Sequence, residues 1–219
     1  PLMKNNKRLV GELLQKIDAP EIATMLLEEE DHIIRSFAAK SLAKSADLHS
    51  TFAEDSHHSV RIVAAENSND ELLISALILD KHSAVKKAAI TNAVAHSLQL
   101  DEDILMSGLG SSDPSLRSLI AKLAVTNGGK ILEKACRDTN PKVKKSIADT
   151  LRNDVQEVDE RIEIVAQIAP DIIVRWLKSR YDQDSSELRW SMIENNSLNP
   201  RLRSKLIEQM EGRLDVDKQ

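Results

Sequence analysis

The sequence has few aromatic residues: two Trp, one Tyr and two Phe in 219 residues. A single globular core of this size usually contains more of them, because large rings bury the most apolar surface per residue. The six Gly and six Pro are also too few for an all-β fold with its many tight turns. These low counts favour small helices packed through Ala, Leu, Ile and Val.

Positive charge and cysteine are limited as well. The net charge is -5 and the pI is about 5.7, so the composition does not favour a protein that binds phosphate backbones through its overall charge. The single cysteine, Cys136, excludes an intrachain disulfide and a structural zinc site made only of cysteines. It is compatible with a reducing compartment.

Long apolar runs and catalytic motifs are missing from the sequence. No stretch approaches the roughly 18 apolar residues of a membrane span, and the first residues lack a secretory signal. The segment Gly108-Leu109-Gly110 is too short for a dinucleotide fingerprint, and no nucleophile motif or phosphate loop occurs. We therefore expect a cytoplasmic, non-enzymatic protein with no membrane contact and no cofactor.

The sequence does contain a repeated pattern. An Asp stands six residues before a basic residue, and an Asn stands six residues after it. The full pattern occurs twice, 25 residues apart, at Asp55, Val60, Arg61, Ala64 and Asn67 and at Asp80, Val85, Lys86, Ala89 and Asn92. Its first half returns at Asp138, Val143 and Lys144. Self-similarity at a short period indicates a solenoid of stacked helical repeats.

Each repeat is predicted to consist of a short helix, a polar turn with the Asp, and a longer second helix. The short helices are expected at 47–54, 69–79, 101–111 and 127–137, and the longer ones at 57–67, 82–97, 114–126 and 140–152. Asp113 and Asn140 are predicted N-caps. Asn67, Asn92 and Asn195 are expected at helix ends, because Asn tolerates the left-handed conformation of a C-terminal cap.

The pattern weakens after residue 153, which suggests a division of the chain. We predict an N-terminal capping helix at 1–19, regular repeats at 20–152, irregular C-terminal repeats at 153–213 and a frayed tail at 214–219.

An Asp and a basic residue at this spacing, after a short helix and before Ala and aliphatic positions, resemble the HEAT repeat. In that family Asp and Arg form a ladder between neighbouring repeats. The resemblance therefore implies a structural ladder made by Asp55, Arg61, Asp80, Lys86, Asp138 and Lys144. HEAT units usually run to about 40 residues, whereas the units of this chain run from 25 to 31.

The short period and the segments 65–73 and 193–200 look like the leucine-rich-repeat variant, which stacks one α-helix and one 3-10-like helix per unit. That family can carry an N-terminal cysteine cluster that binds iron–sulfur. This chain has no such cluster, so the cofactor is not expected. Together the two resemblances imply an all-α fold, a right-handed α-solenoid of about six short HEAT-like helix pairs.

Aromatic and basic residues are concentrated near the C-terminus. Three of the five aromatic residues lie within 16 positions, together with several arginines. Trp, Tyr and Arg dominate interface hot spots and also stack on bases. The alternative interpretation is that the two Trp close the end of the core where the repeat fails. We predict that this cluster binds a partner through Arg175, Trp176, Arg180, Tyr181 and Trp190.

A second basic set would lie along one ridge of the repeats: Arg35, Arg61, Lys86, Arg117, Lys144 and Arg189. The recurring Asp favours a structural ladder. Additional charges at Lys87, Lys142, Lys145 and Arg152 keep open an anion-binding strip for nucleic acid or an acidic partner. Arg117, Lys144 and Lys145 are therefore predicted as a secondary partner-binding patch.

Histidine recurs at one position of the repeat. His57 and His82 each stand two residues after the Asp of the pattern, and His58 is adjacent. A metal site needs converging ligands, whereas one His per repeat is typical of a helix start in solvent. We expect no metal site.

The predicted function is that of a scaffold or adaptor that binds a protein partner on the concave surface of the solenoid. One alternative is a nucleic-acid-binding HEAT-like protein, including a relative of the alkylpurine DNA glycosylases, whose pockets combine aromatic rings with a carboxylate. Asp182 and Asp184 would be the nearby carboxylates. A further alternative is an accessory or chaperone-like factor for one enzyme.

Overall fold

The computed structural model describes residues 6–17, 19–154, 159–178, 180, 182–196 and 198–216. These residues form an all-α structure with fifteen α-helices, one short 3-10 helix, 76% helical content and no strand. The predicted fold class is therefore confirmed at the level of all-α. Within the same ranges, no helix combines the length and the apolar composition that crossing a membrane requires.

The helices follow one another with short connections. In chain order they are α1 (Lys7–Lys16), α2 (Pro20–Leu26), α3 (His32–Ser41), the 3-10 helix (Ala46–Leu48), α4 (His49–Ala53), α5 (His58–Asn67), α6 (Glu71–Ile78), α7 (Ser83–His96), α8 (Glu102–Gly108), α9 (Pro114–Asn127), α10 (Gly129–Cys136), α11 (Pro141–Asp154), α12 (Glu160–Ile168), α13 (Pro170–Leu177), α14 (Gln183–Glu194) and α15 (Pro200–Val216).

The predicted alternation of short and long helices is confirmed. The short helices α4, α6, α8 and α10 lie inside the four ranges predicted for them, and the longer helices α5, α7, α9 and α11 match theirs to within two residues at each end. Asp113 caps α9 by accepting a hydrogen bond from the Ser115 amide at 2.8 Å, and Asn140 accepts one from the Lys142 amide at 2.9 Å. Local turn chemistry therefore sets the helix starts.

The three Asn residues expected at left-handed helix ends do not have that conformation. Asn92 lies inside α7, is 5% exposed and donates to the Ser68 carbonyl at 2.6 Å. Asn67 is the last residue of α5, and its amide donates to the Val63 carbonyl. Among the described non-Gly residues, Ser97 alone has a positive φ. The Asn67 and Asn92 side chains therefore bond to backbone carbonyls, whereas Asn195 stands at the end of α14 with an extended backbone (φ -72°, ψ 101°).

The chain forms two compact units, Pro1–Ile104 (unit 1) and Leu105–Gln219 (unit 2). In unit 1 the longer helices pack in a row, with α1 on α3, α3 on α5 and α5 on α7. Small side chains allow this close packing, and Ala is fully buried at six positions of the row: Ala38, Ala39, Ala64, Ala65, Ala89 and Ala93. This packing explains how unit 1 forms a core with so few rings.

Unit 2 repeats the arrangement. Helix α9 packs on α11, α11 on α13 and α13 on α15, while α10 packs on α12 beside this row. Gly128 separates α9 from α10 with φ 70° and ψ -152°, a backbone conformation that only Gly adopts readily. Helix α15 continues to Val216, inside the range predicted as a frayed tail, and residues 217–219 lie outside the described ranges.

Candidate functional site

Arg61 is the centre of a hydrogen-bonded cluster in unit 1. Its Nε and Nη2 donate to the two carboxylate oxygens of Asp80 at 2.7 and 3.0 Å, and its Nη1 donates to the carbonyls of Asp55 and Ser56 at 2.9 and 3.0 Å. Asp80 also accepts from the His82 amide at 2.7 Å. One guanidinium thus closes its own turn and binds the turn of the next repeat.

The ion pair with a later acidic residue recurs, and we call the set the Arg–Asp ladder. In each case the basic side chain reaches an acidic residue 19 to 27 positions further along the chain. The four ion pairs of the ladder are Arg35–Asp55 at 2.8 Å, Arg61–Asp80 at 2.7 Å, Arg117–Asp138 at 2.6 Å and Lys144–Asp171 at 3.0 Å.

Burial and hydrogen bonding act in opposite directions on the ladder carboxylates. Burial raises the pKa of Asp80, but the hydrogen bonds from Arg61 and from the His82 amide outweigh it, so the pKa lies below its ordinary value. The same balance lowers the pKa of Asp55 and Asp138. The carboxylates therefore stay ionised at neutral pH, and charge-assisted bidentate bonds of this kind are strong.

The ladder is interrupted at one repeat. Ser111 stands six residues before Arg117, where the patterns around Arg61, Lys86 and Lys144 have an Asp. Lys86, predicted as a ladder residue, forms no ion pair with any residue that the structure describes. Asp171 was missed by sequence reasoning because it follows Lys144 by 27 residues. An intervening helix, α12, accounts for the longer spacing.

The ladder changes the interpretation of the predicted basic patch. Arg117 and Lys144 form ion pairs with Asp138 and Asp171, so their charges already have partners. Lys145 is exposed on α11. Of the three patch residues, only Lys145 therefore presents its charge mainly to solvent.

The predicted C-terminal cluster separates into buried and exposed residues. Trp176 has 0% exposure, and the Arg180 guanidinium lies 4.7 Å from its ring centroid. Trp176 is therefore withdrawn from the predicted partner-binding set, because a side chain without exposed surface cannot touch another molecule. Trp190 is 52% exposed, and Arg175 is exposed as well. Tyr181 lies outside the described residues.

Two arginines near this cluster have structural contacts. Arg189 is fully buried and donates to the carbonyls of Leu177 and Arg180, which closes the end of α13. Arg180 donates to Asp182 at 3.1 Å, and Asp182 in turn caps α14 through the Ser185 amide at 2.9 Å. The arginines thus fix the connection between α13 and α14.

An open groove of about 640 Å³ lies between α13 and α15. Arg175 and Lys205 are exposed on its two sides, and Val174 and Leu202 give it an apolar part. Gln209 fixes the helices by donating to the Val174 carbonyl at 3.0 Å. The complete lining is Asp171, Val174, Arg175, Lys178, Leu202, Lys205, Glu208 and Gln209.

Four imidazole rings of unit 1 form a continuous group that we call the histidine stack. His32 stacks on His57 with a centroid distance of 3.7 Å, and His58 stacks on His82 at 3.8 Å with an interplanar angle of 6°. His57 and His58 join the two pairs at 4.3 Å. The sequence analysis did not include His32. The signal that could have found it is the even spacing of His32, His57 and His82, 25 residues apart.

The described part of the chain contains neither a cluster of metal ligands nor an activated thiol. No group of three or more His, Cys, Asp and Glu side chains there could hold a metal ion. Burial raises the pKa of the Cys136 thiol to about 12, so the thiol is protonated at neutral pH and is a poor nucleophile.

A comparison with known protein families finds no matching family model, and a comparison with curated protein sequences finds no significant match. The resemblance to HEAT-like repeats therefore depends on the residues of the chain alone.

Proposed function

We propose that this chain is a non-enzymatic scaffold or adaptor, built as a right-handed α-solenoid of HEAT-like helix pairs, that binds a protein partner. The alternate packing of long helices within each unit supports the repeat architecture. The Arg–Asp ladder supports it further, because three of its four ion pairs join the second helix of one repeat to the turn before a later helix. A cytoplasmic location stays a prediction from the composition.

The groove between α13 and α15 is the observation that carries this proposal. Its walls are helices fixed by Gln209 and Arg189, so the surface is preorganised and little ordering entropy is lost on binding. The basic lining residues Arg175, Lys178 and Lys205 outnumber the acidic ones, Asp171 and Glu208, and therefore suit carboxylates. Leu202 offers apolar contact. An acidic peptide segment with aliphatic side chains matches this chemistry.

A nucleic-acid strip along the ridge has less support. Arg35, Arg61, Arg117 and Lys144 form ion pairs with Asp residues, and Arg189 is buried. Phosphate binding would have to replace these carboxylates, because phosphate affinity comes from cations that are available to neutralise the backbone.

Reversing the charge of the groove should abolish partner capture. We expect the double variant Arg175→Glu/Lys205→Glu to lose at least about tenfold in partner affinity, since like charges would then face the acidic segment. The matched control is Lys81→Glu/Lys130→Glu, which changes the net charge equally at two exposed lysines outside the groove. Quantitative affinity capture at low and high salt, followed by titration of the captured protein, measures the difference.

Equal capture by both double variants would show that the groove is not the binding site. Recovery of nucleic acid that dissociates steeply with rising salt, with no protein partner, would contradict the scaffold function itself.

A further inference from the structure

The histidine stack depends on the Arg–Asp ladder for its geometry. His57 follows Asp55 by two residues, His82 follows Asp80 by two, and both amides donate to those carboxylates at 2.7 Å. The ladder thereby holds successive helix starts at a fixed separation, and the imidazoles that extend from them come into ring contact at 3.7 to 4.3 Å.

Hydrogen bonds identify the acceptor nitrogen of two of the rings. The Nδ1 of His57 accepts from the Ser59 amide at 3.2 Å, and the Nδ1 of His82 accepts from the Ala84 amide at 3.3 Å. A nitrogen that accepts from a backbone N–H carries no proton itself, so a ring that caps in this way is the tautomer with its hydrogen on Nε2. The two rings act as N-caps of α5 and α7 only in this form.

Adding a proton would have two unfavourable effects at the same place. Protonation at Nδ1 turns the acceptor into a donor and removes the cap from the Ser59 or Ala84 amide. At His57 the Ser59 hydroxyl, 2.8 Å from Nδ1, can accept the new hydrogen, but the Ser59 amide still loses its acceptor. Protonation also places positive charge within 4 Å of a stacked neighbour, and a second proton on the neighbour would be opposed by direct repulsion.

The surrounding charges only partly offset this cost. Asp55 and Asp80 favour the protonated forms of His57 and His58, whereas Arg35 and Arg61 oppose them. Each carboxylate is bound bidentately by an arginine of the preceding repeat, so its charge is already matched. Asp31, beside His32, is likewise paired with Lys7 at 2.6 Å.

We propose that the histidine stack is an acid-sensitive device: it holds the starts of α5 and α7 while its rings are neutral, and it releases them when the rings are protonated. Unit 2 has no such device at the corresponding helix starts, where Asp113 and Asn140 are the caps. Acidification therefore loosens unit 1 selectively.

The direction of the pH dependence follows from the two histidines at the centre. Desolvation, then the charges of His32 and His58, lowers the pKa of His57, and desolvation followed by His82 and Arg61 lowers that of His58. The unfolded chain takes up these protons near the ordinary value of 6.5. Below that pH the unfolded state binds more protons than the folded state, so stability falls as the pH falls toward the folded-state pKa values.

Hydrogen exchange of single amides tests the device in the full chain. Between about pH 7.5 and pH 5.5, the range in which histidine titrates, the protection factors of the Ser59 and Ala84 amides should fall about tenfold. The Ser115 and Lys142 amides are the internal control and should keep theirs. In the double variant His57→Asn/His82→Asn, which installs the type of cap that Asn140 provides, the loss at Ser59 and Ala84 should disappear.

Two results would overturn the proposal. One is equal pH dependence of protection at all four amides, and the other is an undiminished loss in the double variant. If the variant does not fold, a pH titration of the imidazole NMR resonances of the unaltered protein tests the proposal instead. The proposal requires His57 and His58 to titrate below the ordinary value with interdependent curves, and independent titration near 6.5 contradicts it.

Discussion

Replacement of Trp176 by Ala is expected to lower the free energy of unfolding of unit 2 by about 4 kcal/mol. Trp176 is the largest of the fully buried side chains, and it lies on α13 between the helices α11 and α15 that pack on it. Truncation removes the transfer free energy of the ring and leaves a cavity that close-packed helices fill only partly. It also removes the surface on which the Arg180 guanidinium lies.

The matched control is Trp190→Ala, because Trp190 belongs to the same unit and is 52% exposed. That variant should lose no more than about 1 kcal/mol. Each variant retains one Trp in unit 2, so Trp fluorescence during chemical denaturation reports on that unit, and circular dichroism follows the helices of both units. Similar stabilities of the two variants would contradict the structural assignment of Trp176.

Replacement of Asp80 by Ala is expected to lower the free energy of unfolding of unit 1 by about 3 kcal/mol. The side chains of Arg61 and Asp80 are only 7% and 9% exposed, so the variant leaves a nearly buried guanidinium without its carboxylate. The two carbonyls that Arg61 also binds keep the loss near the lower end of the range for buried pairs. The His82 amide loses its acceptor as well.

A double-mutant cycle separates the ion pair from side-chain truncation. Arg61→Ala and Asp80→Ala should be coupled by about 2 kcal/mol, whereas effects that add to within about 0.5 kcal/mol would show that the pair contributes no specific stability. The control Glu66→Ala removes an exposed carboxylate from α5. Chemical denaturation measures all four variants.

The ladder and the histidine stack respond to different pH ranges. The folded-state pKa of Asp80 lies below its ordinary 3.8, so the stability it contributes is present above about pH 3.8 and is lost as the pH falls through the folded value. The histidine effect begins near pH 6.5. A stability profile of the unaltered protein should therefore fall in two separate steps.

Much of the fold could be predicted because local signals determine it. Helical periodicity and polar turns located the helix pairs, and Asp113 and Asn140 were recognised as caps because capping depends on neighbours two residues away. The partner of Arg61 depends on the register between repeats. The sequence pattern placed Asp55 beside it, whereas the ion pair forms with Asp80 and only the carbonyl of Asp55 is bound.

The two Trp residues show that composition alone could not predict which residues of the candidate site are exposed. Residue type alone placed both in an interface, but burial depends on which face of the helix carries the ring. Trp176 shares a face with Ile172 and Ile173, whereas Trp190 has Ser186 and Glu187 at the preceding helical positions. The helix face that carries each Trp could therefore be predicted from the sequence. The ring contacts of the histidine stack could not be predicted, because they depend on side-chain placement across three repeats.

The way in which the ladder connects repeats also constrains how such a chain can lengthen or shorten during evolution. Residues 56–80 contain Arg61 together with its partner Asp80, and the segment begins directly after Asp55, where the preceding pair, Arg35–Asp55, is already complete. Duplication or loss of this 25-residue segment adds or removes one whole ion pair. The boundaries of the segment matter less than its length, because loss of residues 50–74 places Asp80 at 20 positions after Arg35, the spacing of the pair Arg35–Asp55. A segment of another length would move Arg61 and Asp80 out of register and leave a buried charge unpaired, at a cost of several kcal/mol.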